Sequence, residues 1–85
     1  MQDYDEYYEA IVHMARVKLL MNKHKGNIED VHPDQLIEFA MRELHELREA
    51  IGNGSYMAII EEIADVLNFV MAAGVQAIEE YRRRK

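Results

Sequence analysis

Two pairs of acidic residues stand out in this sequence, because the spacing within each pair suits one face of a helix. The first pair is Glu43 and Glu46, and the second is Glu62 and Asp65. Residues three positions apart in an α-helix lie on neighbouring turns of the same face, so each pair presents its carboxylates together. If the two faces met, four carboxylates would share one cleft, where their repulsion has to be relieved by protons or cations.

The surroundings of Glu43 argue against a merely solvated position. On a helical wheel this residue falls inside an apolar stripe, where an unpaired carboxylate costs on the order of a few kcal/mol. Glu46 lies at the border of the stripe and is also predicted to face inward, whereas Glu49 is predicted to face solvent. The stripe consists of Leu36, Phe39, Leu47 and Ala50.

The chemistry that such a cleft favours is binding of a hard divalent cation. Carboxylate oxygens select magnesium or manganese over zinc. We therefore predict a magnesium site, with manganese as a substitute, formed by Glu43, Glu46, Glu62 and Asp65. Two alternatives stay open: an ion pair of Glu43 with a Lys or Arg of another helix, and a solvated amphipathic face for the second pair.

Three helices must position these side chains. The 3–4 spacing of apolar residues predicts a first helix from about Tyr4 to Lys23, with Asp3 as its N-cap. Pro33 suits the first position of a second helix that reaches about Ile51. After the break Gly52–Ser55, a third helix runs to about Tyr81, with Ser55 as its N-cap. The residues between the first two helices read as a loop.

The whole chain, residues 1–85, is predicted to be a single all-α domain, a small bundle of three main helices. A chain of 85 residues buries little of its surface, yet 49% of its residues are apolar. This excess of apolar residues predicts that subunits share a core, as a homodimer or a dimer of dimers.

Charge and composition exclude several other classes. The formal net charge is −6, which disfavours nucleic-acid binding because a phosphate backbone would be repelled. No apolar run approaches the roughly 20 residues that span a bilayer, so no membrane partner is expected. There is no cysteine, and the N-terminal region is acidic rather than basic. A cytoplasmic location is the resulting expectation.

The segments around the acidic pairs resemble a known family. The stretch RELHELREAI contains Glu43 and Glu46, and EEIADVLNF contains Glu62 and Asp65, with fifteen residues between the pairs. This pattern resembles the MazG-like all-α nucleoside triphosphate pyrophosphohydrolases, over about residues 36–73. The resemblance implies magnesium-dependent hydrolysis of a (d)NTP to a (d)NMP and pyrophosphate. It also implies that the four carboxylates hold the metal, with Glu46 or Glu43 as the general base.

Residues that would contact the nucleoside triphosphate are less sharply indicated. Asn68 is a candidate metal or substrate ligand, and Lys18, Lys23 and Lys25 are candidate phosphate contacts, although each suits a surface position as well. Two rival functions stay open. One is a phosphoribosyl-ATP pyrophosphohydrolase, which uses a similar pattern, and the other is a non-catalytic helical dimerisation or interaction module.

Overall fold

The computed structural model describes residues 3–23 and 26–84, and within them it contains three α-helices and no strand. Helix α1 spans Tyr4–Met21, α2 spans Pro33–Asn53 and α3 spans Tyr56–Arg83. The connection between α1 and α2 includes one short 3-10 turn, Ile28–Asp30. The predicted all-α bundle of three helices is confirmed, with every predicted helix end within two residues of the observed one.

The starts of α2 and α3 follow from local chemistry. Pro33 occupies the first turn of α2. Backbone N–H groups in the first turn have no acceptor within the helix, so the lack of an N–H in proline costs no hydrogen bond there. His32 Nδ1 accepts a hydrogen bond from the Asp34 N–H at 3.1 Å. Ser55 Oγ accepts from the Ala58 N–H at 3.4 Å, so the predicted cap of α3 is present. The start of α2 is therefore defined by His32 and Pro33, and the start of α3 by Ser55.

Gly54 makes the tight turn that joins α2 to α3. It adopts φ 70°, a left-handed conformation that favours glycine, and its N–H donates to the Ala50 carbonyl at 3.0 Å. The turn is short enough to set α2 and α3 side by side and antiparallel. The start of α1 is less well defined, because the Asp3 side chain forms no capping hydrogen bond. Asp3 therefore occupies the predicted N-cap position, but its side chain does not cap the helix.

Helix α3 lies at the centre, with α2 and α1 packed against it. The rings of Phe39 on α2 and Phe69 on α3 are 5.4 Å apart at their centroids. Small side chains dominate the core of the described residues, which lets the helices approach closely but buries little apolar area. The buried apolar side chains are Ala15, Leu36, Ala40, Ala50, Ala64 and Ala73.

The apolar segments of the helices are short or interrupted by charges. Within the described part of the chain, none of them is both long and apolar enough to cross a bilayer.

Candidate metal centre

Three of the four predicted carboxylates converge between α2 and α3. Glu43 on α2 and Glu62 and Asp65 on α3 each offer an oxygen, and these oxygens lie within 4.8 Å of one another. All three residues are half-buried. We call this group the acidic cluster. Glu43 is 19 or more positions away in sequence from the two members on α3, so the packing of α2 on α3 creates the cluster.

The aromatic contact beside the cluster explains this register. Phe39 lies one helical turn before Glu43, and Phe69 lies one turn after Asp65. Because α2 and α3 are antiparallel, the contact between the two rings places the carboxylates opposite each other one turn further along. The Arg42 guanidinium lies over the Phe39 ring at 5.0 Å and covers its outer face.

Glu62 is the most perturbed member of the acidic cluster. A hydrogen bond with the Glu43 side chain, burial, and the negative charges of Glu43 and Asp65 together raise the pKa of Glu62 from 4.5 to about 7, although Lys18 opposes the shift. Glu62 Oε2 is buried and has no hydrogen-bond partner among the described residues. When Glu62 is protonated, its carboxyl group can donate to Glu43, whereas the buried Oε2 has no donor among the described residues.

Lys18 of α1 completes the group. Its Nζ donates to Asp65 Oδ2 at 2.8 Å and to the Glu61 carbonyl oxygen at 3.4 Å. Lys18 was predicted as a phosphate contact, and the structure places its ammonium against a carboxylate of the cluster. An ion pair with a lysine of another helix, which the sequence left open for Glu43, is therefore present at Asp65.

Glu46 does not join the acidic cluster. It is exposed, so the prediction that it faces inward is wrong. Helix α2 meets α3 along the stripe that holds Leu36, Glu43 and Ala50, and Glu46 lies about 60° around the helix from Glu43. At that angle its side chain reaches solvent beside the contact. Its role as a metal ligand or base stays a prediction.

The remaining predicted substrate residues have different environments. Asn68 Nδ2 donates to the Ala15 carbonyl oxygen at 3.0 Å, which ties α3 to α1. Its amide therefore bonds to the main chain of α1, where the sequence alone suggested solvent, a metal or a substrate. Lys23 is exposed at the end of α1. Lys25 lies outside the described residues.

An open pocket of about 720 Å³ adjoins the cluster, between the end of α1, the 3-10 turn and α3. This volume lies within the range of small-molecule sites. Asp65 is the member of the acidic cluster that lines it. Its lining also includes Lys18, Lys23, Phe39, Asn68 and Phe69.

Phe39 and Phe69 are pocket residues that the sequence did not point to as functional. Each of them lies one helical turn from a carboxylate of the cluster, Phe39 from Glu43 and Phe69 from Asp65, and this spacing could have indicated that they lie beside the site. The aromatic residues near the start of α1, Tyr4, Tyr7 and Tyr8, do not line this pocket.

Comparison with known proteins leaves the family open. No protein-family model, curated protein or solved structure matches the chain. The side chains themselves therefore carry the functional interpretation.

The residues of the acidic cluster fit a hard divalent cation. Three ionised carboxylates with one lysine carry a formal charge of −2, which a dication would neutralise. The buried Glu62 Oε2 has an unused lone pair and no donor among the described residues. Such oxygen-only donors suit magnesium or manganese, which keep part of their water shell when bound by few carboxylates. When no cation is bound, the negative charge of the three carboxylates is partly neutralised by Lys18 and by a proton on Glu62.

Proposed function

We propose that the protein is a magnesium-dependent nucleoside triphosphate pyrophosphohydrolase that converts a (d)NTP to the (d)NMP and pyrophosphate. The observation that supports it best is the convergence of Glu43, Glu62 and Asp65 beside a pocket large enough for a nucleotide. The resemblance of the two acidic segments to the MazG-like enzymes agrees with this proposal.

Glu43, Glu62 and Asp65 would hold the magnesium, with Glu46 as a further predicted ligand. Magnesium, when bound, neutralises a polyphosphate and makes a water molecule more acidic. A carboxylate that is not engaged by the cation accepts the proton of the attacking water, and Glu43 and Glu46 are the candidates for this general base. The raised pKa of Glu62, about 7, means that metal binding has to displace a proton near neutral pH.

The pocket residues would position the nucleotide. Lys18 and Lys23 line the pocket and carry the positive charge that phosphate oxygens require. The rings of Phe39 and Phe69 add an apolar surface on the same side, suited to a base or sugar. Because Asp65 lies in the same lining, a polyphosphate held by the lysines would be next to the cluster.

A product assay tests the proposal. Purified protein with magnesium is incubated with each canonical NTP and dNTP and with phosphoribosyl-ATP, and the monophosphate and pyrophosphate are measured. We expect equimolar (d)NMP and pyrophosphate from at least one triphosphate. Turnover of phosphoribosyl-ATP alone would favour the sibling enzyme, and no turnover of any compound would contradict the proposal.

A second candidate function is supported by the Lys18–Asp65 ion pair. A lysine and a shared proton can hold three carboxylates together without a metal, as in a non-catalytic helical interaction module. Magnesium binding distinguishes the two, because an interaction module balanced by Lys18 has no need of a cation.

A further inference from the structure

The connection between α1 and α2 has to run back along α3. Lys18 of α1 contacts Asp65 of α3, and Asn68 of α3 contacts Ala15 of α1, so α1 and α3 are antiparallel. Helix α2 is antiparallel to α3 as well, and α1 and α2 are therefore parallel to each other. Because a tight turn cannot join parallel helices, the connection lies lengthwise beside α3, and its 3-10 turn packs against that helix.

Residues 26–31 of this connection, which we call the strap, form one wall of the pocket beside the acidic cluster. All of them line that pocket, and Ile28–Asp30 also line an open groove on the other side. The strap thus separates two open spaces. Ile28 and Val31 are half-buried, and its other residues are exposed. Its own packing therefore contributes little to holding it in place.

The side chain of Gln76 on α3 holds the end of the strap. Its Nε2 donates to the Val31 carbonyl oxygen at 2.7 Å, across 45 positions of sequence. Gln76 is half-buried although its neighbours Val75 and Ala77 are exposed. The backbone hydrogen bonds of the strap stay within it or reach Lys23. In the described part of the chain, the Gln76 amide therefore makes the hydrogen bond that joins the strap to α3.

Gln76 belongs to a row of polar residues along one side of α3. Asp65, Asn68 and Gln76 lie within about 80° of one another around the helix. The first two bond to α1 and the third bonds to the strap, so this row holds two walls of the pocket. Gln76 follows Asp65 by eleven residues, which is about 16 Å along the helix axis. An extended nucleoside triphosphate can bridge that span.

We propose that Gln76 is a positioning residue for the nucleoside part of the substrate, an inference that rests on the proposed function. With the phosphates at Lys18 and the acidic cluster, the nucleoside lies between the strap and α3, and the Gln76–Val31 hydrogen bond sets the width of that space. Gln76 does not line the pocket itself, so it acts through the strap and not by contact with the substrate. Affinity for a (d)NTP therefore depends on Gln76, whereas affinity for magnesium or pyrophosphate does not.

Two substitutions at Gln76 test the proposal by steady-state kinetics. Gln76→Met removes the donor but keeps the length of the side chain, and Gln76→Lys keeps a donor. For a triphosphate that the wild type hydrolyses, we expect Gln76→Met to raise KM about fivefold or more and to keep kcat within about twofold. Gln76→Lys should recover most of the affinity. Arg83→Met is the control on the same helix, since Arg83 bonds to the Glu79 carbonyl oxygen of α3, and it should keep the wild-type KM.

Equilibrium binding separates this inference from the proposed function. Calorimetry with α,β-methylene analogues of the NTPs and dNTPs needs no turnover, and magnesium and pyrophosphate are titrated in parallel. Weaker analogue binding in Gln76→Met, with unchanged magnesium and pyrophosphate binding, supports the positioning role whether or not the wild type hydrolyses a triphosphate. A lower Tm with unchanged KM and analogue affinity would overturn it, because the hydrogen bond would then only stabilise the fold. Equal losses of analogue and pyrophosphate affinity would also overturn it. A wild type that binds no analogue would overturn both the inference and the proposed function.

Discussion

The Lys18 ammonium lies 2.8 Å from the Asp65 carboxylate, so a cation of the protein already occupies one side of the acidic cluster. Both side chains are about one-fifth to one-quarter exposed, which limits the strength of this ion pair. A divalent ion bound by Asp65 has to share or displace Lys18. The lysine is then free to turn toward phosphate in the pocket that both residues line.

Lys18→Met should therefore separate metal binding from substrate binding. Without the competing ammonium, we expect magnesium to bind up to about fivefold more tightly, the equivalent of the roughly 1 kcal/mol upper value of a partly exposed ion pair. Turnover should fall, because the phosphate loses a positive partner. Calorimetric metal titration and steady-state kinetics measure the two effects. Weaker magnesium binding in this variant than in the wild type would contradict the view that Lys18 competes with magnesium for Asp65.

The raised pKa of Glu62 predicts how stability depends on pH without metal. The pKa in the folded protein, about 7, exceeds the ordinary 4.5, so the folded state binds the proton more tightly than the unfolded chain. This stabilisation is complete below about pH 4.5 and is lost as the pH rises through about 7. We expect a loss of about 1–2 kcal/mol between pH 5 and pH 8 after allowing for partial exposure to solvent.

Glu62→Gln isolates this contribution, since glutamine keeps the shape and does not titrate. Urea unfolding at several pH values should show a smaller loss of stability with rising pH than in the wild type. Magnesium at pH 8 should restore wild-type stability and have little effect on the variant. Parallel pH profiles for the two proteins would mean that Glu62 does not titrate in this range.

Asn68→Ala should destabilise the fold with little effect on metal binding. The Asn68 side chain donates to the Ala15 carbonyl oxygen, and losing this half-buried hydrogen bond costs about 1 kcal/mol. In a domain of this size, that corresponds to a fall in Tm of about 4–8 °C. Thermal denaturation measures the loss of stability, and metal titration checks that Asn68 is not a metal ligand. A large loss of magnesium affinity would instead support Asn68 as a ligand.

Glu43→Gln and Asp65→Asn should each abolish turnover while the helices persist. Removing negative charge from a crowded cluster relieves repulsion, so circular dichroism should show unchanged helicity. Glu38→Gln is the control on the exposed side of α2 and should keep full activity. Activity retained in Asp65→Asn would remove that residue from the site.

Much of the fold follows from local features of the sequence. The Gly54 turn, Pro33 at the start of α2 and the Ser55 cap each have a short-range signal, so the helix bounds were predictable. The position of Glu43 within an apolar stripe was also readable, because it depends on one helix alone.

What the sequence could not provide was the rotation of one helix against another. The exposure of Glu46 depends on which edge of α2 meets α3, and the Lys18–Asp65 pair depends on how α1 crosses α3. Periodicity defines the apolar face of a helix but not its partner or register. The pairing of Phe39 with Phe69, which sets the register beside the cluster, was missed for the same reason.

The most direct test of the magnesium site is a calorimetric titration of metal-free protein with magnesium, repeated with Asp65→Asn and Glu38→Gln. Saturable binding is expected in the wild type and in Glu38→Gln, with an affinity about tenfold or more lower in Asp65→Asn. No saturable binding at millimolar magnesium, or equal affinity in all three proteins, would contradict a metal centre at Glu43, Glu62 and Asp65.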